Sequence, residues 1–310
     1  AGLATVLFCT YLALFPALVG TLFVRLRRMR FATDAVAFAA LWVLAEWLRG
    51  YVFTGFPWLA AGYAELPARG MLPLAGFAPV GGVFLVSLVV ALCAAALAGI
   101  ADALAAARLR RIVACLGGIA VLVAAGAVLG RIEWTQAKGE PLAVSLVQGN
   151  VSQAQKFDPA FRPRNYELHD ELARMSKGRL VVLPESAYPQ FADEIPGSVF
   201  LRHAALGKER QGDVLIGLFT SEPPLAGEDG ERIYNSVVSV GSAPPQLYRK
   251  HHLVPFGESI PLKPITGWFI NRVLAIPLAD QAAGAAVQLP FAVAGQAVAV
   301  NICYEDVFGA

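Results

Sequence analysis

The sequence predicts a multi-span α-helical membrane domain followed by an α/β domain, and three observations carry that prediction. The 310 residues are 56% hydrophobic and only 15% charged, whereas soluble domains sit near 45–50% and about 25%. The apolar excess is concentrated before residue 130, in four long stretches. After residue 131 short β-branched runs alternate with helix-like segments, with Pro and Gly between them, the pattern of an α/β or α+β sandwich.

The apolar stretches fall at roughly 3–24, 33–48, 78–100 and 112–130. A bilayer span needs about 20 mostly apolar residues. The second stretch is shorter and carries Asp34 and Glu46, so neighbouring helices must shelter it. Lys/Arg placement sets the orientation. The loop Arg25-Leu26-Arg27-Arg28-Met29-Arg30 and the connection with Arg108, Arg110 and Arg111 are basic, whereas 49–77 holds only Arg49 and Arg69. The basic loops therefore face the cytoplasm, and residue 131 onward emerges on the opposite, extracytoplasmic side. The 49–77 loop is aromatic, with Tyr51, Phe53, Phe56 and Trp58. It reads either as an interfacial belt or as an arm resting at the lipid surface. The domains expected are 1–130, with four membrane helices and this arm, and 131–310.

In the second half, strands are predicted at Leu142–Gln148, Arg179–Leu183, Val214–Phe219, Ile233–Val240, Gln246–Lys250 and Ala297–Cys303, with a helix over about 160–176. The chain opens without Met in an apolar run and stops seven residues after Cys303, so a fragment truncated at both ends is expected.

Some function classes are disfavoured. The net charge of +2 implies no polyanion partner, and nucleic-acid binding is not expected. Cys9, Cys93, Cys115 and Cys303 show no paired spacing, so neither disulfide framework nor metal site is predicted; no cofactor is expected. Cys9, Cys93 and Cys115 lie in apolar runs and read as small hydrophobes. His251 and His252 are adjacent, and on a strand they would face opposite sides, which argues against their sharing one ion.

Three predicted strand ends each present a reactive group. Glu185 follows Leu180-Val181-Val182-Leu183-Pro184, Lys250 follows Gln246-Leu247-Tyr248-Arg249, and Cys303 follows Val298-Ala299-Val300-Asn301-Ile302. A thiol attacks as thiolate and is only slightly ionised at neutral pH. A carboxylate can take its proton, and an ammonium can stabilise both thiolate and oxyanion. Base, electrostatic stabiliser and nucleophile form a complete set, and the backbone N–H of Tyr304 could add an oxyanion donor. Each residue alone reads equally well as structural.

Leu183-Pro184-Glu185-Ser186, the run from Tyr248 through Lys250 and Phe256 to Glu258, and Asn301-Ile302-Cys303-Tyr304-Glu305 resemble the three catalytic blocks of the nitrilase superfamily. Val147-Gln148-Gly149-Asn150, Glu46-Trp47-Leu48-Arg49-Gly50 and Thr54-Gly55-Phe56-Pro57-Trp58 resemble its membrane branch, the apolipoprotein N-acyltransferases. The resemblance implies an αββα sandwich for the second domain and a bacterial inner-membrane location. It also implies a reaction. Cys303 would take an acyl chain from a phospholipid as a thioester and pass it to the α-amine of an apolipoprotein's diacylglyceryl-cysteine. Glu185 would serve as base then acid, Lys250 would stabilise the tetrahedral intermediates, and Glu258, Tyr304 and Glu305 would support the site. The segment Gln155-Lys156-Phe157-Asp158 has Phe157 where the family often has Trp, keeping an apolar wall without the indole N–H. Phe157, Trp58, Trp268 and Phe269 are candidate lipid contacts, the last two within an apolar flap at 262–278.

Two other readings stay open on the residues alone. One is a membrane-tethered amidase with the same triad and water as acceptor. The other is a transporter-like or scaffold protein with an incidental cysteine.

Overall fold

The computed structural model describes residues 2–66, 70–225, 230–255, 257–260 and 280–308. The described residues form two compact units, one up to residue 138 and one from 139 to 308.

The first unit is built on four helices: α1 (Gly2–Leu26), α2 (Phe31–Arg49), α3 (Ala78–Ala105) and α4 (Leu109–Leu129). All four are long and apolar enough to cross a membrane. Each extends its predicted stretch by a few residues. Leu7, Leu14, Val113 and Val121 are exposed, as side chains meeting lipid rather than water should be. Phe15 and Val19 of α1 pack with Ala45 of α2. Glu46 is buried near the end of α2 and its Oε1 accepts Trp42 Nε1 and Ala61 N–H, both at 2.8 Å. A carboxyl is retained here because it ties the 49–77 arm to the helix end. Arg49 adds bonds from Nε to Phe56 O at 3.1 Å and from Nη2 to Trp58 O at 2.9 Å.

The second unit carries a five-stranded sheet in the order β1 (Val144–Leu146), β2 (Leu180–Val182), β3 (Asp213–Glu222), β4 (Arg232–Gly241) and β5 (Gln246–Arg249). β1, β2 and β3 are parallel, while β4 is antiparallel to both β3 and β5. The carboxyl ends of β2, β3 and β5 therefore lie along one edge. Alternating residues sort to two faces, as strand geometry requires. Val214, Ile216 and Leu218 pack with Ala173 of α6 (Arg162–Met175) and Val199 of α7 (Gly197–Glu209). Leu180 and Leu215 instead meet Phe291 and Val293 of the hairpin β6 (Phe291–Val293) and β7 (Gln296–Val298). The layers are helices, main sheet, second sheet; a second helical layer has no counterpart among the described residues.

One expectation needs correction here. The strand foreseen over 297–303 ends at Val298. Cys303 instead opens a 3-10 turn, Cys303–Val307, with a left-handed φ of 50°, which an extended strand cannot accommodate. The 262–278 flap, with Trp268 and Phe269, lies outside the described residues.

His203 on α7 is fully buried, with Nε2 2.7 Å from Tyr188 Oη. Burial, against a smaller opposing pull from Asp170, lowers its pKa to about 4. The unfolded chain, near the ordinary 6.5, binds the proton more readily. The stabilising contribution is thus complete above about pH 6.5 and lost as pH falls through about 4. We expect the thermal midpoint of this domain to drop between pH 6.5 and 4. In His203→Phe the fall attributable to this group, about 3 kcal/mol at 1.36 kcal/mol per unit, should vanish; an unchanged pH profile would refute the assignment.

Candidate active site

Glu185 stands in the turn after β2. That turn presses onto β3 at Gly217, where a Cβ would come within 2.4 Å of Pro184 O, so no larger residue leaves the turn in place. Ser186 adopts a left-handed φ of 45°, which redirects the chain sharply after Glu185. Lys250 follows β5 directly, and its N–H donates to Asn235 O at 2.8 Å. Its ammonium is fully buried, 2.8 Å from Glu258 Oε1 and 3.5 Å from Glu185 Oε1. A buried lysine is tolerated only with such partners.

Cys303 is exposed to solvent, and its thiol feels the charges of both Glu185 and Lys250. Partial burial and then the Glu185 charge hold the thiol pKa above the ordinary cysteine range, against a smaller downward pull from Lys250. At neutral pH the resting sulfur is therefore protonated, with a carboxylate in place to receive the proton. The structure thus brings Glu185, Lys250 and Cys303 together from segments 65 and 53 residues apart in the chain (250 − 185 and 303 − 250).

The supporting residues divide by task. Glu258 accepts from Lys250 Nζ and from Val254 N–H at 2.9 Å, fixing the lysine to its own following loop. Glu305 is buried. It accepts Tyr248 Oη at 2.9 Å, His251 N–H at 2.7 Å, His252 N–H at 3.2 Å and Ile302 N–H at 2.9 Å. One carboxylate thereby joins the loop after Lys250 to the residue before Cys303. Tyr304 is buried, its ring edge-on to Phe308 at 5.0 Å. Phe157, just beyond the short helix α5 (Gln153–Lys156), is exposed. Trp58 belongs to the helical unit.

His251 and His252 do not splay apart as a strand would place them. They lie in the loop after β5, with ring centroids 4.8 Å apart. His251 Nδ1 donates to Gly284 O at 2.8 Å, and His252 stacks on Phe308 at 4.1 Å. Among the described residues no His, Cys, Asp and Glu cluster has metal-binding geometry.

Sequence reasoning missed two residues. Asn235, buried on β4, donates from Nδ2 to Glu185 Oε1 at 2.6 Å and to Glu258 Oε1 at 3.2 Å. It holds Glu185 by one oxygen and leaves the other with lone pairs for a thiol proton. A lone Asn inside the apolar run Ile233–Val240 was the available signal, because a buried amide needs partners. Lys156 donates from Nζ to Glu185 O at 3.1 Å. Burial lowers its pKa, opposed by the Glu185 and Cys303 charges. It also lines a cavity of about 160 Å³ with Gln148, Asn150, His169 and Glu185.

Comparison with known proteins agrees with this architecture. A model for the apolipoprotein N-acyltransferase N-terminal domain matches residues 1–96, and one for carbon-nitrogen hydrolases matches residues 126–310. This chain belongs to the carbon-nitrogen hydrolase family. It is 47% identical over 311 residues to an apolipoprotein N-acyltransferase of Nitrosomonas europaea, covering 100% of this chain and 59% of that protein. The corresponding protein of Chromobacterium violaceum is 41% identical over 299 residues, covering 96% of this chain and 55% of the relative. That of Methylococcus capsulatus is 40% identical over 313 residues, covering 100% and 58%. The chain thus spans somewhat over half the length of the curated relatives it matches. The N-terminal-domain match falls on the helical unit and the hydrolase match on the unit holding Cys303, Glu185 and Lys250.

Proposed function

We propose that this chain carries the catalytic centre of a phospholipid:apolipoprotein N-acyltransferase working through a thioester on Cys303. The observation that carries the reading is the Cys303 thiol coupled electrostatically to Glu185 and Lys250, with the buried Lys250 ammonium 3.5 Å from the Glu185 carboxylate. As the sulfur attacks the ester carbonyl of a phospholipid, Glu185 takes the thiol proton and a C–S bond forms. The Lys250 charge stabilises the oxyanion. The C–O bond then breaks, and Glu185 returns the proton to the departing lysophospholipid alkoxide. In the second half the neutral α-amine of a diacylglyceryl-cysteine attacks the thioester, Glu185 takes a proton from nitrogen as the C–N bond forms, the C–S bond breaks, and Glu185 returns the proton to the sulfur. Two half-reactions through one covalent intermediate make ping-pong kinetics.

The names of the relatives support the acyltransferase reading. Four helices able to span a bilayer support a lipid donor. The arginine-rich loops between α1 and α2 and between α3 and α4 support an inner-membrane orientation with the catalytic domain on the periplasmic side. Phe157 and Trp58 are each proposed, separately, as apolar contacts for lipid.

The test is mass spectrometry of the full-length protein incubated with phospholipid. An acyl adduct is expected on Cys303, discharged by an apolipoprotein peptide bearing a free α-amine. Cys303→Ala should lose both adduct and transfer. Discharge by water with no acylated peptide would indicate a hydrolase, and persistent transfer in Cys303→Ala would eliminate the mechanism.

A further inference from the structure

The helical unit holds a polar centre of its own. A cavity of about 580 Å³ opens between α1, α2, α3 and α4. Part of its wall is apolar, with Phe38, Ala94 and Ala98, and part carries Arg27, Arg108 and Arg111. Asp34 and Asp102 also line it, leaving a net charge of +1 (3 − 2). Asp34 accepts the Arg28 N–H at 2.7 Å, while Asp102 is mostly exposed and 3.9 Å from Arg111 Nη2. Arg111 stacks over the Phe31 ring at 4.2 Å. Its Nε is shut off from solvent and has no hydrogen-bond partner among the described residues. Gly99 makes this possible, since a Cβ there would lie 2.4 Å from the Phe31 ring.

The helix ends point the same way. α2 begins at Phe31 and α4 at Leu109, both beside this cavity and both without a side-chain N-cap. The positive ends of two helix dipoles therefore add to the field of the guanidiniums.

We infer that this cavity binds the phosphate of an anionic phospholipid, from the leaflet at the arginine-bearing end of the bundle, with an acyl chain against Phe38 and Ala98. Guanidinium forks match phosphate oxygens, and basic pockets between membrane helices suit anionic head groups. A free phosphate would leave the apolar wall unused, and a zwitterionic lipid would bring its own cation against the arginines. The inference does not depend on the catalytic reading.

Native mass spectrometry of the full-length protein in detergent tests it, titrating phosphatidylglycerol and phosphatidylcholine of identical chains. Wild-type protein should bind phosphatidylglycerol at least about fivefold more tightly, the worth of one net cation near the head group. Arg27→Gln combined with Arg111→Gln should abolish the difference. Ala98→Phe, which fills the apolar part and keeps every charge, should also weaken phosphatidylglycerol binding. Millimolar inorganic phosphate should not displace the lipid. Equal retention of the two lipids, preference surviving in both variants, or displacement by phosphate alone would overturn the proposal.

Discussion

Glu185→Gln is expected to abolish thioester formation while making the Cys303 thiol more acidic. The Glu185 charge raises the thiol pKa and Lys250 lowers it, so removing the carboxylate leaves the lysine's pull unopposed. Alkylation of Cys303 by iodoacetamide at pH 7 should therefore speed up in the variant. The acyl adduct should nonetheless fall by about 10²–10⁴-fold, the usual worth of a positioned general base. The reason lies in the second proton transfer. The alkoxide of the departing lysophospholipid needs an acid, and glutamine cannot supply one. Measuring both rates on one sample separates the two effects. A normal adduct yield would remove Glu185 from the mechanism, and slower alkylation would contradict the electrostatics of the site.

Glu305→Ala should be nearly as damaging without touching a reacting atom. Its carboxylate accepts from Tyr248, His251, His252 and Ile302, and all four donors lose their acceptor in the variant. Burial of unsatisfied donors costs about 1–3 kcal/mol each, and the turn holding Cys303 loses its tie to the loop after Lys250. A displacement of about 1 Å can reduce the rate about 10²-fold. We expect at least that loss in adduct formation, with partial rescue by Glu305→Gln, whose oxygen can still accept. Tyr248 should report the change, because burial and then the Glu305 hydrogen bond and charge hold its phenol above the ordinary range. Its pKa, followed by ultraviolet titration, should come down in Glu305→Ala. An unshifted phenol together with full activity would show that Glu305 does not organise the site.

The membrane half was legible because its signal is compositional. Twenty apolar residues in a row have few alternatives to a span, and α1 to α4 fall within a few residues of the stretches read from sequence. The main strands were legible for a related reason: β2 and β3 are buried on both faces and read as continuous apolar runs. Glu185, Lys250 and Cys303 could be named from sequence because each sits beside such a run in a recognisable block.

What the sequence could not determine was anything made by contacts between distant segments. Asn235 reaches Glu185 across 50 residues and Glu258 across 23, and no local pattern encodes either bond. Cys303 reads as the end of an apolar strand, yet the left-handed φ and the carboxylate of Glu305 behind it turn the chain there. His251 and His252 read as facing apart, yet the loop after β5 brings their rings together. The converging arginines and helix starts of the membrane half became a cavity only when α1 to α4 packed side by side. Hydrophobic periodicity is a short-range property of the chain and survives in the sequence, whereas the direction of a side chain in a turn is fixed by partners that only the folded structure supplies.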